Sequence, residues 1–290
     1  MGLNFMMAGA QSGQEKSSGR LSPIDPFGLR NLDFNRRVPE KTEMFSPEET
    51  RTYIDGCDYL ESVDDFLLAW EIKQRFSHIG LENMTILDAM CGPGRLGREL
   101  LNLGAKEIVF HDGDRTMTNH AVTNARQTKK EGQVIVGVTL PVDKLFLPEN
   151  IFDLVVCHNS THQLSSLKKL NKVMERFLRI TKPGGVVMIA DYQRSTAPEF
   201  LEALEERLQW TKPEIIPLLI PTFMAAFSKE EWQQVLESIE GISSFLVTDA
   251  TFPEDLTPEL WEKVEKDPVK GHVIDFSSIS LRVLAQKEEK

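Results

Sequence analysis

Asp88, Asp112, His158 and His162 each stand at or just beyond the end of an apolar run, and the series Gly92-Pro-Gly94-Arg-Leu-Gly97 follows the first of them. A strand ending in glycine-rich backbone leaves N–H groups free, and a helix opening at Arg95 aims its positive dipole end at the same spot. Such a loop suits a small phosphate- or carboxylate-bearing ligand. Asp112 closes "IVFHD", 24 residues beyond Asp88, where a carboxylate can accept both hydroxyls of a ribose. Asp114 can do the same or simply cap the next helix.

The glycine spacing also fits the dinucleotide pattern G-x-G-x-x-G, so the loop alone leaves NAD and S-adenosylmethionine both open. Asp88 separates them. A carboxylate beside a pyrophosphate is repulsive, whereas a ligand with an α-ammonium and a sulfonium gains from one. Methyl transfer from a sulfonium needs the acceptor held in line, and it needs a base only if the acceptor must lose a proton. His158 and His162 are the candidate catalytic bases, with a cap or surface role as the plain alternative. Asn159 and Tyr192 are candidate groups for orienting the acceptor. Cys57, Cys91 and Cys157 have no metal-like spacing, so no metal site and no disulfide framework is expected, and a thiol at Cys91 reads as a packed small hydrophobe.

These residues need a sheet to hold them in register. From residue 84 the chain alternates: strand 84–89, helix 95–103, strand 107–111, helix 115–128, strand 133–138, strand 152–157, helix 164–181 and strand 185–191. Alternation with short links predicts an α/β fold whose mostly parallel sheet has helices on both faces. Before it, "SPEE" at 46–49 is a capping box for a helix to about residue 54, and Ser62 caps another in which Phe66, Leu67, Trp70, Ile72 and Phe76 share a face. After it, Ser195/Thr196 should cap a helix to Trp210. "TKPEIIPLLIPTFMAAF" is apolar but broken by Pro213, Pro217 and Pro221, which forbids one long helix. A capping box at Ser228–Glu231 opens a helix to about Ile239, and two β-rich segments, 244–251 and 277–286, flank a Pro- and Glu-rich helical excursion.

On these residues the chain resembles the class I S-adenosylmethionine-dependent methyltransferases of the small-molecule type. "LDAMCGPG" is similar to their first motif, "VFHDGDRTMTNHA" to their ribose-acid motif, "NIFDLVVCHNSTHQL" to their fourth-strand motif, and "LRITKPGGVVMIADY" to their Lys-Pro-Gly-Gly fifth-strand motif. The resemblance implies a Rossmann-like seven-stranded sheet, last strand antiparallel, under a helical cap. It implies S-adenosyl-L-methionine contacts at Asp88, Ala89, Met90, Gly92, Gly94, Asp112, Gly113 and His158, and an adenine contact at Asp143 with Val142 and Leu140 as walls. Met90 departs from the family, which usually has Gly there. The Asn/Asp-Pro-Pro-Tyr signature of amide and base methylation is absent, since the stretch reads Cys157-His158-Asn159-Ser160. Residues 44–290 would then be the methyltransferase domain, with cap elements at 46–76 and 195–240. An apolar lid containing Trp210, Phe223, Met224 and Phe227 suggests a small, partly hydrophobic acceptor methylated at oxygen or nitrogen, with Phe223 and Met224 lining its pocket. A dimer contact is the other use of that segment. An NAD(P)-dependent oxidoreductase, or a non-catalytic regulatory protein retaining the fold, are the competing readings.

Composition sets the remaining bounds. A formal net charge of -11 over 290 residues, with no Lys/Arg-rich run, argues against nucleic acid. No window approaches the ~20 apolar residues that cross a bilayer, so no membrane partner is expected. The odd cysteine count points to reduced thiols in a cytoplasmic setting. The segment 1–43 reads as a flexible N-terminal arm.

Overall fold

Runs such as Thr85–Ala89 and Phe152–His158 are apolar on both sides of the chain, so they are stable only with both faces covered. They are covered in that way in the computed structural model, which describes residues 25–40, 50–51, 54, 62–211, 213, 216–251, 256–258, 261–262, 264 and 278–289. Strands β1 (Thr85–Ala89), β2 (Glu107–Asp112), β3 (Val134–Thr139), β4 (Phe152–His158), β5 (Thr181–Tyr192), β6 (Ile242–Asp249) and β7 (Ser280–Lys287) form one sheet in the order β3-β2-β1-β4-β5-β7-β6. Neighbouring strands from β3 through β5 pair in parallel, and β7 runs antiparallel to both β5 and β6. A dinucleotide-binding sheet of order 3-2-1-4-5-6 has no such antiparallel insertion.

The described helices are α1 (Ser62–Arg75), α2 (Arg95–Asn102), α3 (Arg115–Gln127), α4 (Leu167–Ile180), α5 (Pro198–Gln209), α6 (Ile216–Ala225) and α7 (Lys229–Glu237). Strand alternation sorts the core into two layers. Ile86, Leu154 and Val156 pack with Leu68, Ile72, Leu100 and Ala121 on one face, while Leu87, Val155 and Cys157 pack with Val173, Phe177 and Trp232 on the other. The strand order reverses between β1 and β4, so the carboxyl ends of β1, β2 and β4 open a crevice there.

Element boundaries differ from expectation where local chemistry decides them. The α4 helix starts at Leu167 because Ser166 caps it by accepting from Lys169 N–H, and residues 161–163 form a separate turn. The α5 helix starts at Pro198, whose fixed φ suits a first helical position. Ser195 Oγ accepts from Ala197 N–H and does not cap the helix. The α6 helix holds ten residues despite Pro221, which lies one turn after Pro217. The capping box at Ser228–Glu231 forms reciprocally. The one at 46–49 and most of the excursion after β6 lie outside the described residues. Within the expected flexible arm, residues 25–40 are instead docked: Leu29 and Phe34 are buried with Tyr192, Phe200, Leu204, Phe223 and Met224. Its Pro- and Arg-rich composition hides these two apolar anchors.

Two glycines of the loop have different duties. Gly94 holds φ +74°, and a Cβ there would sit 2.4 Å from Ala121 Cβ on α3. Gly92, at φ +51°, would meet nothing within 4 Å. Gly94→Ala is therefore expected to destabilise by about 3 kcal/mol, overpacking adding to left-handed strain, and Gly92→Ala by about 1 kcal/mol from strain alone. Urea midpoints of the two variants check the difference, and equal shifts would show that the approach of α2 to α3 is not tight.

Candidate active site

The crevice holds a small cavity of about 40 Å³ lined by Asp65, Asp88, Met90, Cys91, Gly92, Pro93, Arg95, Leu96, His158, Asn159 and Ser160. Asp88, the last but one residue of β1, is buried and among the described residues accepts one hydrogen bond, from Gly97 N–H at 3.0 Å to Oδ2. Burial pushes its carboxyl up to about 8; the Gly97 bond opposes this, and the charges of Asp65 and Asp112 add to it. A carboxylate in that state gains from any cation brought beside it.

The loop after β1 is fixed by β2. Met90 stands at φ +55°, the left-handed region where the family pattern has Gly, and its side chain packs half-buried on the core. Its N–H donates to His111 Nδ1 at 3.3 Å, and His111 Nε2 donates to Leu140 O at 2.9 Å. With one nitrogen accepting and the other donating, His111 is a neutral imidazole, and burial pushes it down to about 4. Ser160 Oγ donates to Met90 O at 2.9 Å, tying the loop to the end of β4.

Asp112 and Asp114 differ in what their side chains touch. Asp114 caps α3, its Oδ1 accepting from Thr116 and Met117 N–H. Asp112 Oδ2 accepts from Gly92 N–H at 2.8 Å and Oδ1 from Asp114 N–H at 2.9 Å, so the carboxylate is aimed at the glycine loop. Burial raises its carboxyl above the usual range, against the hydrogen bonds from Asp114 and Gly92. Gly113 lies beside Pro141 and Leu140, and Asp143 is exposed on the turn 142–144 just beyond.

Of the two histidines, only His158 reaches the cavity. His158 Nδ1 lies 2.9 Å from Asp65 Oδ1, and Asp65 Oδ2 lies 2.9 Å from Arg95 Nε. Burial would raise the Asp65 carboxyl, but His158 and Arg95 together hold it below the ordinary range. His162 is instead packed away from the cavity, its Nδ1 2.7 Å from Asp191 Oδ1, with its own N–H and Thr161 Oγ1 both donating to Asp191 Oδ2. The expected acceptor walls are likewise displaced. Phe223 is fully buried and Met224 nearly so, both stacked into the cluster around Tyr192, whose ring lies 4.7 Å from that of Phe223. Apolar character marked this segment for burial, but the surface covering it is the docked 25–40 segment. Asn159, at φ +44°, does line the cavity.

Sequence reasoning missed Asp65, Arg95, His111 and Arg37. Asp65 reads locally as a favourable acid in the first turn of α1, and nothing marks its partner 93 residues away. Arg37 Nε donates to Ala225 O, and its Nη2 donates to His162 O and Leu164 O while the guanidinium covers the Phe227 ring at 3.9 Å. Among the described residues no helix is long and apolar enough to cross a membrane.

Residues 86–185 match the family model for a methyltransferase domain. Among curated proteins, the chain is 29% identical over 121 residues to malonyl-[acyl-carrier protein] O-methyltransferase of Buchnera aphidicola, covering 42% of this chain and 44% of that protein. It is 27% identical over 216 residues to the mitochondrial arginine-hydroxylase NDUFAF5 of Rattus norvegicus, covering 71% and 58%. The matches thus span about half the length of these relatives. Among solved structures, the plantazolicin methyltransferase BpumL in complex with SAH aligns with a TM-score of 0.59 at 12% identity, covering 84% of this chain and 91% of that one. A SAM-dependent methyltransferase from Aquifex aeolicus aligns at 0.53 and 18%, covering 84% and 99%. The parallel sheet with its antiparallel seventh strand, the glycine loop facing Asp112 and the match agree: residues 86–185 are similar to the methyltransferase-domain family, and the chain has the fold of the S-adenosylmethionine-dependent methyltransferases it aligns with.

Proposed function

We propose that the protein is an S-adenosylmethionine-dependent methyltransferase acting on a small, partly hydrophobic organic acceptor at oxygen or nitrogen. The observation that carries this reading is Asp88: a buried carboxyl with a single donor among the described residues, at the lip of a glycine loop that faces a second carboxylate, Asp112. That arrangement fits a ligand with a cationic amino-acid end and a ribose, and it opposes a diphosphate. The open space over Gly92 is where backbone can approach the ligand.

Asp88, Ala89 and Met90 would hold the amino-acid end, Gly92, Gly94, Asp112 and Gly113 the ribose, and Asp143 the adenine edge. Bound there, S-adenosylmethionine supplies an electrophilic methyl group on a sulfonium. His158 and Asn159 would stand on the acceptor side, and α5 with α6 would form the cap, whereas α1 and α7, expected in it, pack on the faces of the sheet. The Buchnera relative is an O-methyltransferase, which favours oxygen. The hydroxylase name of the rat relative shows that a similar sequence can carry another activity, so the ligand itself must be tested.

Calorimetric titration with adenosylhomocysteine and with NAD is the direct test: micromolar binding of the former alone is expected, and NAD binding alone overturns the reading. Asp112→Ala should cost roughly 1–3 kcal/mol of adenosylhomocysteine affinity through lost charge-assisted bonds to the ribose. An unchanged affinity would remove Asp112 from that role.

A further inference from the structure

The His158 ring has two ends in different surroundings. Its Nδ1 faces a carboxylate that is itself pinned by Arg95, and its side chain, only 10% exposed, borders the cavity shared with Asp88 and the glycine loop. No second hydrogen bond to the ring is found among the described residues. An ionised Asp65 can only accept, so it requires the proton of a neutral imidazole to sit on Nδ1 and leaves the lone pair on Nε2. Arg95 keeps Asp65 ionised in a buried setting, where an unpaired carboxylate would pick up a proton instead. The three side chains come from three separate elements, α1, α2 and the end of β4.

We propose that Asp65 is a positioning residue that fixes His158 in its Nδ1–H tautomer, so that Nε2 takes the proton of an acceptor hydroxyl. This rests on the methyl-transfer reading above and narrows it to an acceptor that must lose a proton, such as a phenol or enol, rather than one already ionised, such as a carboxylate. In the step, the O–H bond breaks and an N–H bond forms at Nε2. The electron pair left on oxygen makes the bond to the methyl carbon, as the carbon–sulfur bond breaks with its pair kept by sulfur. The imidazolium that results faces Asp65, which offsets its charge. The other charged groups around the ring are Arg95 on α2 and Asp88 on β1.

The test is 15N NMR of histidine-labelled protein without ligand, at a pH where imidazoles are neutral, with the His158 signals assigned by their loss in His158→Gln. The wild type should show Nδ1 protonated and Nε2 bare. Asp65→Asn, whose amide can donate to Nδ1, should move a large share of the population to the Nε2–H form, while Asp65→Glu should retain the wild-type tautomer. A wild-type ring with Nε2 protonated, or an Asp65→Asn ring unchanged from the wild type, overturns the proposal. The wild-type spectrum alone decides if the variants do not fold. Adenosylhomocysteine titration of the same sample keeps the two claims apart: binding with the wrong tautomer sinks only the role of Asp65. No binding sinks the methyl-transfer reading and the base step with it.

Discussion

Asp88→Asn is expected to make the free protein more stable near neutral pH while weakening adenosylhomocysteine binding ten- to hundred-fold. The side chain is buried and its carboxyl is pushed up to about 8, mainly by burial, so at pH 7 the folded state holds a proton that the unfolded chain releases. The sign follows from linkage: a raised carboxyl contributes no penalty below the unfolded value near 4, and stability falls as pH rises from there toward 8. Asparagine keeps an oxygen for Gly97 N–H but has no charge to desolvate, so the variant should gain a few kcal/mol at pH 7 and nothing at pH 4. Ligand binding reverses the balance. A cationic amino group beside Asp88 needs it ionised, so wild-type affinity should rise by up to about tenfold per pH unit between pH 5.5 and 7, and the asparagine variant should lose that slope along with about 1.5–3 kcal/mol of binding. Paired urea and calorimetric titrations across this range check both halves. A variant that is less stable at pH 7, or that binds as the wild type does, contradicts the assignment of Asp88 to the ligand cation.

Asp191→Ala should act in the opposite direction, lowering stability by about 3–5 kcal/mol at pH 7. Asp191, the last but one residue of β5, is buried and accepts from His162 Nδ1, Thr161 Oγ1 and the backbone N–H groups of His162 and Tyr192. Burial would raise its carboxyl, but His162, by charge and hydrogen bond, together with Thr161 and Tyr192 N–H, holds it below the ordinary range. A lowered carboxyl contributes stability that is present above the unfolded value and lost as pH falls through the folded one. The gap between wild type and variant should therefore begin to narrow below about pH 4. Denaturant midpoints at pH 7 and pH 3 measure it, and a gap as wide at pH 3 as at pH 7 would show that packing, not ionisation, carries the cost. The same pairing explains why His162, equal to His158 in the sequence, has no place at the cavity.

The sheet was legible because each buried strand is a short continuous apolar run and each covering helix keeps an apolar stripe. The expected limits of β1 to β4 lie within one residue of those observed. Asp88, the glycines and Asp112 were legible because a strand, a loop and a helix start fix their places locally. Asp114 was undecided because capping and ribose binding ask for the same residue type at nearly the same spot. What stayed hidden is non-local. Asp65 meets His158 across 93 residues and Arg37 meets Ala225 across 188, and neither pairing leaves a period or a motif in the chain. Phe223 and Met224 show the limit most clearly, since apolar character announces burial without saying against what.

Arg37 is synthesised well before its three carbonyl partners, which arrive 125, 127 and 188 residues later. During translation this segment must therefore wait, its Phe34 unprotected, until α6 has left the ribosome. The stretch between Ser160 and Leu164 is thus among the last to be secured, and any cut or fusion that keeps Arg37 from returning leaves that corner beside β4 without its clasp.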